Sequence, residues 1–380
     1  MSLSVLHLIT GLQTGGAERM LVKLLAADAG RDTVTHRVAS LTGPGRLGAE
    51  VEALGVPLHD LGLARGRPHP RALLGAVRLI RRHRPDVIQS WLYHADLLAL
   101  VAAGLTGQPR RVIWNLRCSD MEMARYGRLS ALVRGLCARL SPLPGAVIAN
   151  AQVGRQVHEK LGYRPRQWAV IPNGFDTTRF APDPDLRATT RRQLGLDDGH
   201  TVIALTARVD PQKNHPGLLD AFARVAPDHP HARLLLAGRG TQDLDLPDVL
   251  ADKVLRLGER TDIPALLNAS DLAILPSAYG EGFSNALGEA MACGLPAIAT
   301  QVGDSAHIIG PSGWITPPND THALAETLHQ ALATPAEERQ KRGHQARQRI
   351  LDNWTLPTIQ TQYHTLWLQV AAAAARSQDP

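Results

Sequence analysis

Ten short apolar runs, each followed by a longer segment of mixed polarity, dictate most of what this 380-residue chain can fold into. Five lie early: VLHLIT at 5–10, THRVASL at 35–41, DVIQS at 86–90, RVIWNL at 111–116 and AVIAN at 146–150. Five follow later: TVIALTA at 201–207, RLLLAG at 233–238, KVLRLG at 253–258, LAILP at 272–276 and PAIAT at 296–300. Runs that are apolar without alternation suit strands buried on both faces, which requires a parallel sheet with helices above and below it. A chain of this length exceeds what one hydrophobic core organises, so two sets of runs predict two domains. The expected fold class is α/β, with two doubly wound, Rossmann-like domains facing a cleft. Between the sets lies IPNGFDTTRFAPDPD at 171–185, rich in Pro, Gly and Asp and without helical periodicity, where a hinge is expected. The domains are therefore expected at 1–173 and 174–355. The tail, 356–380, places Ile359, Tyr363, Leu366, Trp367 and Val370 at helical spacing and predicts a helix packing back toward the first domain.

Composition narrows the partners. Aromatic residues make up only 4% of the chain, too few for the stacking platforms of sequence-tolerant nucleic-acid binding, so no nucleic acid is expected. Cys118, Cys137 and Cys293 have neither the paired spacing of a zinc site nor the density of a disulfide framework, which fits a reducing cytoplasm. The N-terminus reads as a strand and not a signal peptide, since it has no basic leader and its apolar run is interrupted at His7. Trp91 to Leu105 is the longest other apolar stretch, but it carries His94 and Asp96 and is too short to span a bilayer. Charge is unevenly placed: residues 1–173 hold 23 Lys and Arg against 11 Asp and Glu, while residues 174–380 hold 18 against 24. Much of the excess lies in Arg65, Arg67 and Arg71, in Arg78, Arg81, Arg82 and Arg84, and in Arg125, Arg128, Arg134 and Arg139. Two readings stay open: solvated helix faces, or a surface for anionic lipid head groups or phosphorylated acceptors.

Three motifs carry chemistry. GLQTGGAER at 11–19 follows the first strand and opens a helix, so Gly15 and Gly16 let backbone amides approach an anion or a sugar oxygen; tight packing of helix on sheet would use the same glycines. ARVDPQKNH at 207–215 puts Arg208 and Lys213 at a strand end, either as surface charges or as cations that neutralise a diphosphate. YGEGFSNALGEAMACGLP at 279–296 is the most informative. Glu281 precedes a glycine turn, Phe283 to Leu287 begin a helix whose first amides suit phosphate oxygens, and Glu289 follows on the same helix. A carboxylate accepts two vicinal hydroxyls at once, which suits a ribose or a hexose.

Together, GGAE after the first strand, NGFD at 173–176, ARVDPQKN, and Glu281 with Glu289 in an E-x7-E arrangement resemble family 4 of the retaining GT-B glycosyltransferases of bacterial polysaccharide and glycolipid synthesis. The resemblance covers essentially the whole chain. It implies a nucleotide-sugar site in the C-terminal domain and an acceptor site in the N-terminal one. Arg208 and Lys213 would bind the donor diphosphate, Glu289 the ribose and Glu281 the transferred sugar. Asn173 and Gly282 would lie with the donor-binding residues, and Phe283, Ser284 and Asn285 would offer amides to phosphate. His94, in SWLYHAD, resembles the family's histidine that touches the donor sugar. Retention of anomeric configuration is likewise implied by the resemblance alone.

The chemistry of the residues is compatible with that assignment, because fixed cations can meet the charge on a departing diphosphate without a metal. No cofactor or metal is expected, and DLDLP at 243–247 reads as a surface loop, not a metal-binding carboxylate pair. The expected donor is UDP-linked, with a GDP-linked sugar second, and the acceptor a saccharide or lipid-linked species. The expected location is cytoplasmic, with attachment to the inner face of the cytoplasmic membrane if the basic half engages lipid. Asp304, Ser305 and His307 depart from the family pattern after the ATQVG strand and leave the sugar open. A GT-B-fold sugar-nucleotide epimerase and a non-catalytic nucleotide-sugar-binding subunit are the alternatives. A nicotinamide-dependent dehydrogenase is not expected, since no G-x-G-x-x-G follows the first strand.

Overall fold

The computed structural model describes residues 2–13, 15–63, 70–119 and 128–376. Arg65, Arg67 and Arg125 lie outside the described residues. The chain divides into two compact units, Met1–Gly174 with Leu356–Pro380, and Phe175–Thr355.

In the first unit seven parallel strands form one sheet: β1 (Leu3–Ile9), β2 (Val34–Ser40), β3 (Leu58–Asp60), β4 (Val87–Trp91), β5 (Val112–Leu116), β6 (Ala146–Ala149) and β7 (Trp168–Val170). Their order is β3-β2-β1-β4-β5-β6-β7, so the direction of winding reverses between β1 and β4. The connecting helices are α1 (Gly16–Asp28), α2 (Gly48–Ala53), α3 (Pro70–His83), α4 (Tyr93–Leu105), α5 (Arg128–Leu140) and α6 (Gln152–Lys160).

The second unit repeats the plan with six parallel strands: β8 (Thr201–Thr206), β9 (Ala232–Ala237), β10 (Val254–Arg256), β11 (Leu272–Leu275), β12 (Ala297–Thr300) and β13 (Trp314–Thr316). The order β10-β9-β8-β11-β12-β13 again reverses, here between β8 and β11. Its helices are α7 (Pro184–Gln193), α8 (His215–Val225), α9 (Ile263–Asn268), α10 (Asn285–Ala292), α11 (Ser305–Ile309), α12 (Thr321–Ala333) and α13 (Ala336–Asn353). The chain then enters α14 (Leu356–Arg376), which belongs to the first unit.

The strand period of two decides which helices cover which face. Leu6, Leu8, Ile88, Trp114 and Val147 turn toward the core under α3, α4 and α5. The intervening residues turn the other way, where Trp367 Nε1 of α14 donates to Gln89 Oε1 at 2.6 Å and Asn115 Nδ2 donates to the Tyr363 hydroxyl at 3.2 Å. Ile359, Tyr363, Leu366, Trp367 and Val370 are all buried, so the apolar stripe of α14 is its packing face. In the second unit Ile203, Leu205, Leu234, Leu236 and Ile274 meet Leu218, Phe222, Leu324 and Leu328 of α8 and α12.

Candidate functional site

In open doubly wound sheets, ligands bind beyond the carboxyl ends of the strands where the winding reverses. The sequence motifs fall at these two places. In the second unit the loops after β8 and β11 flank the reversal, and they carry Arg208, Lys213 and Glu281.

Asp210 shapes the first loop. One carboxylate oxygen accepts from Gln212 N at 3.0 Å and starts a single 3-10 turn, Pro211–Lys213; the other accepts from Arg208 Nη2 at 3.1 Å. Proline at the first position of the turn suits its fixed φ. Lys213 is thereby presented inward, and its Nζ donates to Glu281 Oε1 at 2.5 Å. Both side chains are largely withdrawn from water, at 15% and 7% exposure, whereas Arg208 remains 45% exposed. Ser277 adds its hydroxyl to the same Glu281 oxygen at 2.6 Å, and Ala278 N donates to the carbonyl of Gln212 at 2.8 Å. These bonds lock the two loops together, so that a cation, a carboxylate and a hydroxyl meet at one point on the sheet edge.

The helix after this loop starts later than the motif suggests. Ser284 is its N-cap, its oxygen accepting from Leu287 N, so α10 begins at Asn285, and Gly282 and Phe283 form the approach to it. The orphan amides of this first turn carry the positive end of the helix dipole. Glu289 is the fifth residue of α10, about 6 Å along its axis from Asn285. Behind it the packing is aromatic: a Cβ at Gly288 would lie 2.0 Å from Phe175 Cζ, and Phe283 stands edge-on to Trp354 at 5.2 Å. In the loop after β12, Asp304 N donates to the Gly282 carbonyl at 3.2 Å, which places the departure from the family pattern directly against the Glu281 loop.

The first unit gathers its own residues at its reversal. Gly15 is the N-cap of α1, after β1. After β4 the chain turns through Leu92, a non-glycine residue at φ 74°, and enters α4 with Tyr93 and His94. A left-handed backbone at such a residue stores strain and is kept where the turn must be tight. His94 is half-buried, and burial lowers its imidazole below the usual histidine value, so it is neutral at pH 7. Asn173 belongs to this unit as well, where its side chain accepts from Arg117. Asp243 and Asp245 of DLDLP are exposed.

Sequence reasoning missed four contributors: Asp210, Ser277, Gly303 and Trp354. Ser277 carried a readable signal, a hydroxyl just past the LAIL strand and four residues before Glu281. Asp210 carried one too, an aspartate directly before the proline of the 3-10 turn that it caps; Gly303 and Trp354 act by contact across the fold, which no local pattern announces.

Residues 14–179 match the family model of Glycosyltransferase Family 4, and residues 200–334 that of Glycosyl transferases group 1. Over 93% of its length the chain is 28% identical to the glycogen synthase of Mycobacterium tuberculosis, covering 87% of that protein. It is 30% identical to the GDP-mannose-dependent monoacylated alpha-(1-6)-phosphatidylinositol monomannoside mannosyltransferase of Corynebacterium glutamicum, over 70% of this chain and 72% of the relative. The chain belongs to glycosyltransferase family 4. This family 4 glycosyltransferase has the GT-B fold: Anabaena Alr3699/HepE, solved in complex with UDP and glucose, superposes with a TM-score of 0.81 at 23% identity, covering 96% of this chain and 98% of that one. Arg208, Lys213 and Glu281 of the family 4 enzyme stand on loops at the carboxyl ends of β8 and β11, the kind of place where doubly wound folds bind ligands, and Glu289 stands on the helix that follows.

Proposed function

We propose that this glycosyltransferase is a retaining, metal-independent enzyme. It moves a sugar from a nucleoside-diphosphate donor, UDP-linked first and GDP-linked second, to a saccharide or lipid-linked acceptor in cell-surface polysaccharide or glycolipid synthesis. The observation that carries the reading is the Lys213–Glu281 pair on the reversal edge of the second sheet, with Arg208 on the same loop and the amides of α10 following Glu281.

Cleavage of the bond between the anomeric carbon and the diphosphate oxygen builds negative charge on the leaving group. Arg208, Lys213 and the first amides of α10 meet that charge with groups already in place, the condition under which electrostatic stabilisation is largest. Glu281 accepts hydroxyls of the transferred sugar, and Glu289 those of the ribose. Before donor binds, Glu281 compensates the Lys213 ammonium; once the diphosphate is present, the ammonium has a second anionic partner and the carboxylate turns to the sugar. His94 holds a sugar hydroxyl through a ring nitrogen. In this reading the protein works in the cytoplasm and attaches to the inner face of the cytoplasmic membrane when its acceptor is lipid-linked.

The test is a thermal-shift screen of UDP-, GDP- and other nucleotide sugars, followed by product analysis with and without EDTA. A donor at about a hundred times its dissociation constant adds roughly 2.7 kcal/mol of stability. Transfer or slow hydrolysis that survives EDTA supports the proposal. An epimerised donor, or a strict need for Mg²⁺ or Mn²⁺, overturns it.

A further inference from the structure

Helix α4 lies between α3 and α5 on one face of the first sheet, and the outward surface of these three helices has an unusual composition. Half of the ten large apolar side chains that are exposed among the described residues belong to it: Leu74, Val101, Leu105, Leu129 and Leu132. Leu105 and Leu132 are each 60% exposed. On α4 the exposed stripe carries no charge, because Val101 and Leu105 follow the half-exposed Leu97 and Leu98 at helical spacing. On α3, Arg71, Leu74, Arg78 and Arg81 recur every three or four residues, Arg82 follows Arg78 by four, and all five share one exposed face. Arg139 is exposed on α5. The single acidic residue of the three helices, Asp96, is fully buried against Ser90.

Solvated helix faces carry both signs of charge and few exposed leucines. This one has cations of one sign beside a strip of bare aliphatic side chains, and no exposed acid. An acidic protein would be met by the arginines but would leave the apolar strip wet. A nucleic-acid backbone would need donors along the centre, where α4 offers none. An anionic bilayer satisfies both halves together: guanidinium groups take the phosphate head groups, and the leucines enter the acyl boundary.

We infer that the outer face of α3, α4 and α5 is a monotopic docking surface for a membrane containing anionic phospholipid, with Leu105 and Leu132 as insertion residues and Arg78, Arg81 and Arg82 as head-group ligands. The inference deepens the reading of a membrane-attached enzyme with a lipid-linked acceptor, yet its test does not depend on glycosyl transfer.

The full chain is sedimented with vesicles of phosphatidylcholine alone and of phosphatidylcholine with about one third phosphatidylglycerol, across a range of NaCl. Binding to the anionic vesicles only, weakening as salt rises, is expected. Leu105→Ser with Leu132→Ser, and separately Arg78→Gln with Arg81→Gln and Arg82→Gln, should each weaken it about tenfold or more, since one cation at a lipid surface is worth about fivefold. Leu368→Ser on α14, equally bare but on the opposite face of the sheet, should change nothing. The UDP-induced thermal shift of every variant should stay as in the parent, which keeps a failure of docking separate from a failure of donor binding. Equal binding to neutral vesicles, absence of binding to either, or loss caused by Leu368→Ser would overturn the inference. A concentration-dependent dimer abolished by the Leu105/Leu132 variant would overturn it too, and reassign the face to a second copy of the chain.

Discussion

Gly303 backs onto Glu281 so closely that a Cβ at position 303 would lie 2.3 Å from the Glu281 carbonyl oxygen. Its φ of 57° is also one that side-chain-bearing residues adopt only with strain. Gly303→Ala must therefore push the Glu281 loop out of place. Turnover should fall about tenfold or more, since small displacements at a reacting centre cost that much, and the melting temperature should fall with it. Steady-state kinetics on the purified variant check this; parental turnover would detach the placement of Glu281 from catalysis.

The Lys213–Glu281 pair joins stability to chemistry. Removing one member of a buried ion pair leaves the other uncompensated, at a cost of about 3–5 kcal/mol. Lys213→Ala and Glu281→Gln should each lower the melting temperature, and Lys213→Ala should reduce turnover more than donor affinity, because leaving-group charge peaks in the transition state. The double variant Lys213→Met with Glu281→Gln separates the two effects. It should recover most of the lost melting temperature and none of the turnover.

Arg208 offers a cleaner probe. Its ion pair with Asp210 is solvent-exposed and worth at most about 1 kcal/mol, so Arg208→Ala should melt almost as the parent does. Turnover should nevertheless drop by about 10²-fold or more if the guanidinium meets the departing diphosphate. An unchanged rate would leave Arg208 a surface charge.

The sequence made strand positions readable where both faces of a strand are covered. All ten apolar runs became strands, to within two residues at their ends. The three strands that composition did not announce, β3, β7 and β13, are three residues long and lie at sheet edges, where one neighbour is missing and little apolar surface is needed. Which residues follow which strand could be read from the chain. Which strand ends lie side by side could not, because that depends on the order in which the strands pair. Lys213 and Glu281 are 68 residues apart, and only the adjacency of β8 and β11 brings them together. Leu105 escaped notice for a related reason: α4 is apolar nearly all round, so its pattern does not say which side is left bare.

His94→Ala should cut turnover by about 10²-fold or more while nucleotide affinity and melting temperature hold, if the ring positions the sugar. Burial depresses its protonation, so the imidazole is neutral at pH 7 and charges only below its ordinary value of 6.5. The rate should be flat above neutrality and fall on the acid side. Measuring turnover from pH 5 to 9 in parent and variant checks both; a rate that falls only in step with a lost melting temperature makes His94 a packing residue.

His158 sets an acid limit on the fold. Its Nδ1 donates to the Gly154 carbonyl at 2.6 Å, leaving Nε2 to accept from the Tyr93 hydroxyl at 2.6 Å, and burial lowers its pKa to about 4. The unfolded chain takes up this proton near pH 6.5 and the folded chain only near pH 4, so its contribution is complete above 6.5 and is lost as pH falls between those values. The loss is about 1.4 kcal/mol per pH unit. His158→Gln should flatten that part of a melting-temperature profile from pH 4.5 to 7.5; an unaltered slope would assign the acid sensitivity elsewhere.

Helix α14 follows the second unit in the chain yet fills the core of the first, with Trp367 bonded to Gln89 across 278 residues and Tyr363 to Asn115 across 248. On the ribosome, residues 175–355 emerge as one uninterrupted unit and can fold as soon as they are free. The unit begun earlier must wait, with the part of its sheet beside α1 that α14 covers still open, until that helix has been translated. Loop closure over such a span costs little more than over a short one, because the entropy grows only with the logarithm of length. The delay falls on timing, and for that interval the half-built sheet is the part of the nascent protein most in need of a chaperone.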